Sequence, residues 1–150
     1  MGCNKSKLIN LTFDKTPTFT LEGKKTKVKI LKIYDGDTLW LGIKLHGRFY
    51  KFKVRMMGYD SPEIKPRLNT PNRDLVIKKA IEAKTYLENL INNKIVDAEF
   101  FKFDKYGRPL CNLYIKDTDS YLPCRNKVCV NTLMVRNSHG YTYMGGKKRM

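Results

Sequence analysis

Three carboxylates and two arginines stand where turns of the chain would gather them. Asp37 ends an Asp35-Gly36-Asp37 run, and Asp60 and Glu63 bracket Ser61-Pro62. Each run alone is an ordinary turn, since Asp and Gly favour tight reversals and proline cannot continue a central strand. Arg55 alters that balance. It lies between Val54 and Met56 in a strand-like stretch, where a guanidinium is costly to bury without a partner. An acidic cluster nearby would satisfy it, and a phosphate would match its planar fork with two parallel hydrogen bonds. Arg108 follows Tyr106-Gly107, so a turn can aim it into a cleft. Two carboxylates for a hard divalent cation, a third as base and two arginines for a growing oxyanion suffice for phosphodiester hydrolysis.

Strands must bring these residues together, and the hydrophobic pattern supplies them. Val28–Tyr34, Thr38–Lys44 and Arg48–Met57 read as three strands, with Asp35-Gly36-Asp37 and Leu45-His46-Gly47 as the turns of a meander. A polar loop with Pro66 and Pro71 leads into a helix spanning Asn72 to Ile91. Val76, Ala80, Ala83, Leu87, Leu90 and Ile91 form its apolar face, Thr70 or Asn72 caps it, and Asp74 suits the positive end of its dipole. Two further strands, Ile95–Phe103 and Leu110–Ile115, flank the Asp104–Arg108 turn, and Val128–Asn137 forms a short second helix. The order βββ-α-ββ-α predicts an α+β, mainly β fold: a five-stranded Greek-key barrel of the oligonucleotide-binding type. Its main helix lies between strands 3 and 4, and its short helix is C-terminal. Trp40 and the Phe100-Phe101-Phe103 group are expected in the core, and His46 and His139 in exposed loops. The organisation expected is a flexible leader over 1–26, one domain over 27–143 and a basic tail over 144–150.

The chain of 150 residues suits one domain, and 41% hydrophobic and 11% aromatic residues exclude a disordered one. Lys and Arg number 30 against 14 acidic residues, a formal charge of +16. Such a field favours nucleic acid or an anionic membrane surface, although a lysine-rich composition alone would produce part of it. Of the four cysteines (Cys3, Cys111, Cys124, Cys129), none has the spacing of a zinc site, and reduced thiols are expected. No run of apolar residues is long enough to span a bilayer. Met1-Gly2-Cys3-Asn4-Lys5-Ser6 fits the myristoylation pattern at Gly2, with Cys3 placed for palmitoylation. Two lipids, reinforced by Lys5 and Lys7, would hold the protein on an anionic cytosolic membrane face, whereas a single chain holds weakly. Without acylation the expectation is a cytoplasmic protein.

Tyr34-Asp35-Gly36-Asp37-Thr38, Val54-Arg55 with Asp60-Ser61-Pro62-Glu63, and Asp104-Lys105-Tyr106-Gly107-Arg108 resemble the three signature segments of the staphylococcal nuclease family. They occur in the family's order with the expected helix between the second and third, and the resemblance covers Lys27 to Tyr143. It implies a calcium-dependent nuclease acting on DNA and RNA with little sequence preference and leaving 3′-phosphates. Asp37 and Asp60 would be calcium ligands, with Ser61 completing the site through its carbonyl. Glu63 would be the general base, and Arg55 and Arg108 the pair on the phosphate. Lys105 and Tyr106 would contact the nucleotide, as would Tyr141 and Tyr143. Two rival readings are a catalytically silent nucleic-acid-binding module on the same barrel and a lipid-anchored basic adaptor.

Overall fold

The computed structural model describes residues 3–117 and 127–142. A short helix α1 (Cys3–Leu8) precedes strands β1 (Lys25–Ile33), β2 (Thr38–Leu45) and β3 (Arg48–Met56), each antiparallel to the next. The β2–β3 reversal uses two left-handed residues, His46 at φ 48° and Gly47 at φ 78°. Such a turn carries the twist that flanking strands need. Next come a two-residue strand β4 (Tyr59–Asp60), the helix α2 (Arg73–Ile91) and strands β5 (Ile95–Phe103) and β6 (Pro109–Lys116). The described chain ends with β7 (Lys127–Cys129), α3 (Val130–Arg136) and β8 (Tyr141–Thr142).

Strand β1 pairs with β2 on one side and β5 on the other, and β5 pairs with β6. A parallel pairing of β3 with β6, Arg55 opposite Leu110 and Met56 opposite Cys111, closes the five-stranded barrel. The closing seam therefore falls on Arg55 itself. Inward residues alternate along the strands, with Val28, Ile30, Leu39, Leu41, Ile43, Val54, Met56, Phe100 and Leu113 all buried. Helix α2 covers one end with Ala83, Leu87 and Ile91, which join the same core. The predicted α+β barrel with a main helix between its third and fourth strands and a short C-terminal helix is the fold observed.

The differences are local and have physical causes. Trp40 is not a core residue: it falls on the outward phase of β2, half-exposed beneath the Lys51 ammonium. Phe100 is buried, whereas Phe101 and Phe103 are only half-buried, and Phe103 meets Phe19 at a 6.4 Å centroid distance. His139 is not a free loop residue, because its ring stacks on Tyr86 at 4.5 Å. Asn72 precedes α2 in a left-handed conformation, φ 51°, and makes no side-chain cap bond. The barrel starts at Lys25, and Leu21 ahead of it is buried in the core. Cys111 is a buried free thiol that burial pushes up to about 12, and Cys129 is a half-buried one. Among the described residues, no helix is long and apolar enough to cross a membrane.

Candidate active site

The β1–β2 turn is built to press two aspartates against the rest of the domain. The Tyr34 and Asp35 N–H groups both donate to the Thr38 carbonyl, at 3.0 and 3.2 Å, and the Asp37 N–H donates to Asp35 Oδ1 at 3.1 Å. Gly36 stands at the apex. A Cβ there would lie 2.8 Å from Ser61 Cβ and 2.9 Å from Ala83 Cβ, so only glycine lets the turn meet both the Ser61 loop and α2. The buried Tyr59 hydroxyl donates to the Gly36 carbonyl at 2.7 Å and locks the turn from below.

Asp37 and Asp60 are buried, Asp60 completely. Asp37 Oδ1 accepts from the Thr38 hydroxyl at 2.8 Å, and Oδ2 accepts the Ser61 N–H at 2.9 Å. Burial raises the Asp37 carboxyl, but the Arg55 guanidinium and the hydrogen bonds from Ser61 and Thr38 outweigh it and hold the group below its usual range. Asp35 goes the other way: burial first, and then the Asp37 charge, push it up to about 7. Arg55 is the cation between them. It ion-pairs with Asp60 Oδ1, approaches Asp37 Oδ1 at 3.9 Å and donates to the Tyr59 carbonyl at 3.4 Å. A buried arginine is tolerable only with such partners.

Arg108 reaches the same cleft from the β5–β6 turn. Gly107 adopts φ 76°, and the Asp104 carboxylate accepts from the backbone N–H groups of Tyr106 and Arg108, both at 2.9 Å. That carboxylate also accepts the Arg108 Nε–H at 2.7 Å, while Nη1 donates to the Thr38 hydroxyl at 3.3 Å. Thr38 thereby links Arg108 to Asp37. Lys105 and Arg108 both lie over the Tyr106 ring, at 5.0 and 5.5 Å.

A cleft of about 840 Å³ opens over this cluster, and Asp37, Arg55, Asp60, Glu63, Lys105, Tyr106 and Arg108 all line it. Glu63 is exposed to solvent there. Ser61 is buried beneath the cleft with its N–H on Asp37. Tyr141 sits opposite Asp60 in the β4–β8 pairing and does not line the cleft. Tyr143 and Gly2 lie outside the described residues, as does Cys124, and Cys3 is the first residue of α1. Asp35 and Tyr34, given no role from the sequence, are among the other residues that line the cleft. The signal for Asp35 was its place in Asp35-Gly36-Asp37, where the first aspartate reads equally well as a turn former.

A cation would find hard oxygen donors here. Asp60 Oδ2 and Ser61 Oγ are buried with no hydrogen-bond partner among the described residues, and an unsatisfied buried carboxylate oxygen is costly. Among the described residues no three His, Cys, Asp or Glu side chains form a closed metal-holding group. Asp60 Oδ2 and Ser61 Oγ are hard oxygen donors of the kind a calcium-like ion takes, not the nitrogen and sulfur donors of a structural zinc site.

A family model described as staphylococcal nuclease homologue matches residues 53–147. An uncharacterized protein of the archaeon Methanocaldococcus jannaschii is 33% identical over 109 residues, 63% of this chain and 51% of the relative. The chain thus spans about half the length of that relative.

Proposed function

The chain belongs to the staphylococcal nuclease homologue family, and from that premise we propose that it is a calcium-dependent nuclease. It hydrolyses phosphodiester bonds of DNA and RNA with low sequence specificity and leaves 3′-phosphates. The observation that carries this reading is the pairing of a wholly buried Asp60, one oxygen on Arg55 and the other without a partner among the described residues, at the floor of a cleft that Glu63 and Arg108 also line.

Asp37 and Asp60, with Ser61, would hold the cation, whose bound charge would acidify a water and offset that of the phosphate. Arg55 from β3 and Arg108 from the end of the β5–β6 turn meet the phosphate. Because each is already anchored, by Asp60 and Asp104 respectively, little reorganisation is needed as oxyanion charge grows. Glu63, exposed at the cleft wall, takes the proton of the attacking water. Lys105 and Tyr106, which line the cleft, serve the nucleotide beside the scissile bond. Contacts to backbone and ring faces carry no base identity, which accounts for low specificity.

The test is cleavage of single- and double-stranded DNA and of RNA, in calcium or in a chelator, by wild type and Glu63→Gln. Wild type in calcium is expected to exceed Glu63→Gln by about 100-fold or more and to stop in the chelator. Absence of cleavage by wild type in calcium would remove the enzymatic reading and leave nucleic-acid binding alone, and equal cleavage by the two proteins would remove Glu63 as the base.

A further inference from the structure

Ahead of the barrel, four large apolar side chains stand in water within six residues. Leu8 is 63% exposed, Ile9 81%, Leu11 57% and Phe13 97%. Rings and branched chains held so far out add little to the core, and a contiguous apolar patch marks a surface that meets something else. The segment folds on itself. Helix α1 is prolonged by the Ile9 and Asn10 N–H groups, which donate to the carbonyls of Lys5 and Lys7 at 3.2 and 3.3 Å. The Leu11 N–H then closes a tight turn on the Leu8 carbonyl at 3.1 Å. In a second turn the Thr16 N–H and hydroxyl both donate to the Thr12 carbonyl, at 3.0 and 2.6 Å. Lys5, Lys7 and Lys15 are exposed in the same stretch, against a single acidic residue, Asp14.

The root of this segment is fastened to the barrel. Leu21 is buried in the core, the Gly23 N–H donates to the Phe100 carbonyl at 2.9 Å, and the Phe19 ring lies 6.4 Å from that of Phe103. We propose that residues 5–16 are a foot that docks the protein on an anionic phospholipid bilayer. Leu8, Ile9, Leu11 and Phe13 enter just below the headgroups, and Lys5, Lys7 and Lys15 meet the lipid phosphates. Two observations choose a bilayer over a groove on a protein. The apolar residues are flanked on both sides by lysines, the order in which an interfacial segment keeps cations at anionic headgroups while its apolar side chains go deeper. Backbone groups that leave water must also be satisfied within the segment, and the two turns satisfy the N–H groups of Ile9, Asn10, Leu11 and Thr16 locally. The formal charge of +16 adds attraction to the same surface without inserting anything. Docking does not depend on the nuclease reading, since none of the four apolar side chains lines the cleft.

The test is co-sedimentation of the full, unacylated chain with vesicles of phosphatidylcholine containing roughly one-third phosphatidylserine. Phe13→Ala is expected to weaken binding about tenfold, and Lys7→Gln about fivefold. Lys79→Gln, which removes the same charge from an exposed position on α2, is expected to stay within about twofold of wild type, because distance and salt screen it from the surface. Phe13→Trp separates insertion from adsorption by net charge. Its emission is expected to shift to the blue when vesicles are added, beyond any change that Trp40 gives in wild type. An unshifted emission would overturn the proposal, as would Phe13→Ala binding as tightly as wild type or a wild type that does not bind the vesicles. Sedimentation velocity without lipid is the second arm: a wild-type dimer that Phe13→Ala dissociates would assign the apolar patch to a second copy of the chain and overturn the proposal. Should wild type dock on vesicles as expected but fail to cut DNA, the nuclease reading falls and the foot stands.

Discussion

The Ser61 backbone N–H donates to the Asp37 carboxylate at 2.9 Å, across 24 residues of chain. This bond joins the β1–β2 turn to the loop after β4, and it lies beside the guanidinium of Arg55, which pairs with Asp60. One carboxylate therefore supports both the position of the loop and the charge balance of a half-buried arginine.

Replacing it separates the two roles. Asp37→Ala strands a buried N–H and removes charge from beside Arg55, and is expected to cost about 2–4 kcal/mol. Asp37→Asn keeps an oxygen for Ser61 and should cost clearly less, while both variants lose about 100-fold or more in calcium-dependent cleavage. Urea unfolding read beside DNA cleavage checks this; equal stability of the two variants would contradict the structural role.

The apex of the same turn tolerates no side chain. Gly36→Ala would drive a methyl to within 2.8 Å of Ser61 Cβ and 2.9 Å of Ala83 Cβ, and is expected to cost about 1–3 kcal/mol. Since the strain falls on Ser61, calcium affinity should weaken in the surviving folded protein. Thermal unfolding and calorimetric titration with calcium give the two readouts, and a wild-type midpoint would show that the turn lies farther from α2.

Asn131 on α3 is the second clamp. Its Oδ1 accepts the Leu113 N–H at 3.1 Å, and its Nδ2 donates to the carbonyls of Met57 and Cys111 at 2.9 and 3.0 Å. Asn131→Ala is expected to cost about 3 kcal/mol. Asn131→Asp should also destabilise, because a carboxylate can satisfy Leu113 but not the two carbonyls. Urea midpoints of the pair test this, and a neutral Asn131→Asp would mean that only the Leu113 bond matters.

The Asp35 carboxyl supplies a pH dependence. Its pKa is raised from the usual 3.8 to about 7 in the folded protein by burial and by Asp37. The folded state then keeps a proton that the unfolded chain releases, so its contribution to stability is full below about 3.8 and is lost as pH rises through about 7. In a chelator, Asp35→Asn should lose this slope, gaining on wild type as pH rises. Calcium should bind more tightly above about pH 7, where no proton has to leave. Urea unfolding against pH and a carboxyl carbon NMR titration of Asp35 are the checks; a midpoint near 4 would refute it.

The division of labour between sequence and fold is visible in particular residues. Strand and helix order, a hairpin turn at Leu45-His46-Gly47 and the apolar face of α2 all follow from periodicity and turn chemistry, which are local properties. So is the grouping of Asp37, Asp60, Glu63, Arg55 and Arg108 into three short segments next to turns. The sequence by itself determined the barrel and the inventory of reactive groups. Only the tertiary structure decided which of those groups meet. Asp35 is an ordinary turn residue until packing buries it beside Asp37 and raises its pKa. Trp40 counts as core by composition until the register of β2 turns it outward under Lys51. Asn131 and Tyr59 gain their importance from carbonyls that are far away along the chain. Non-local hydrogen bonds and strand phase depend on how the barrel closes, and the seam of that closure lies on Arg55.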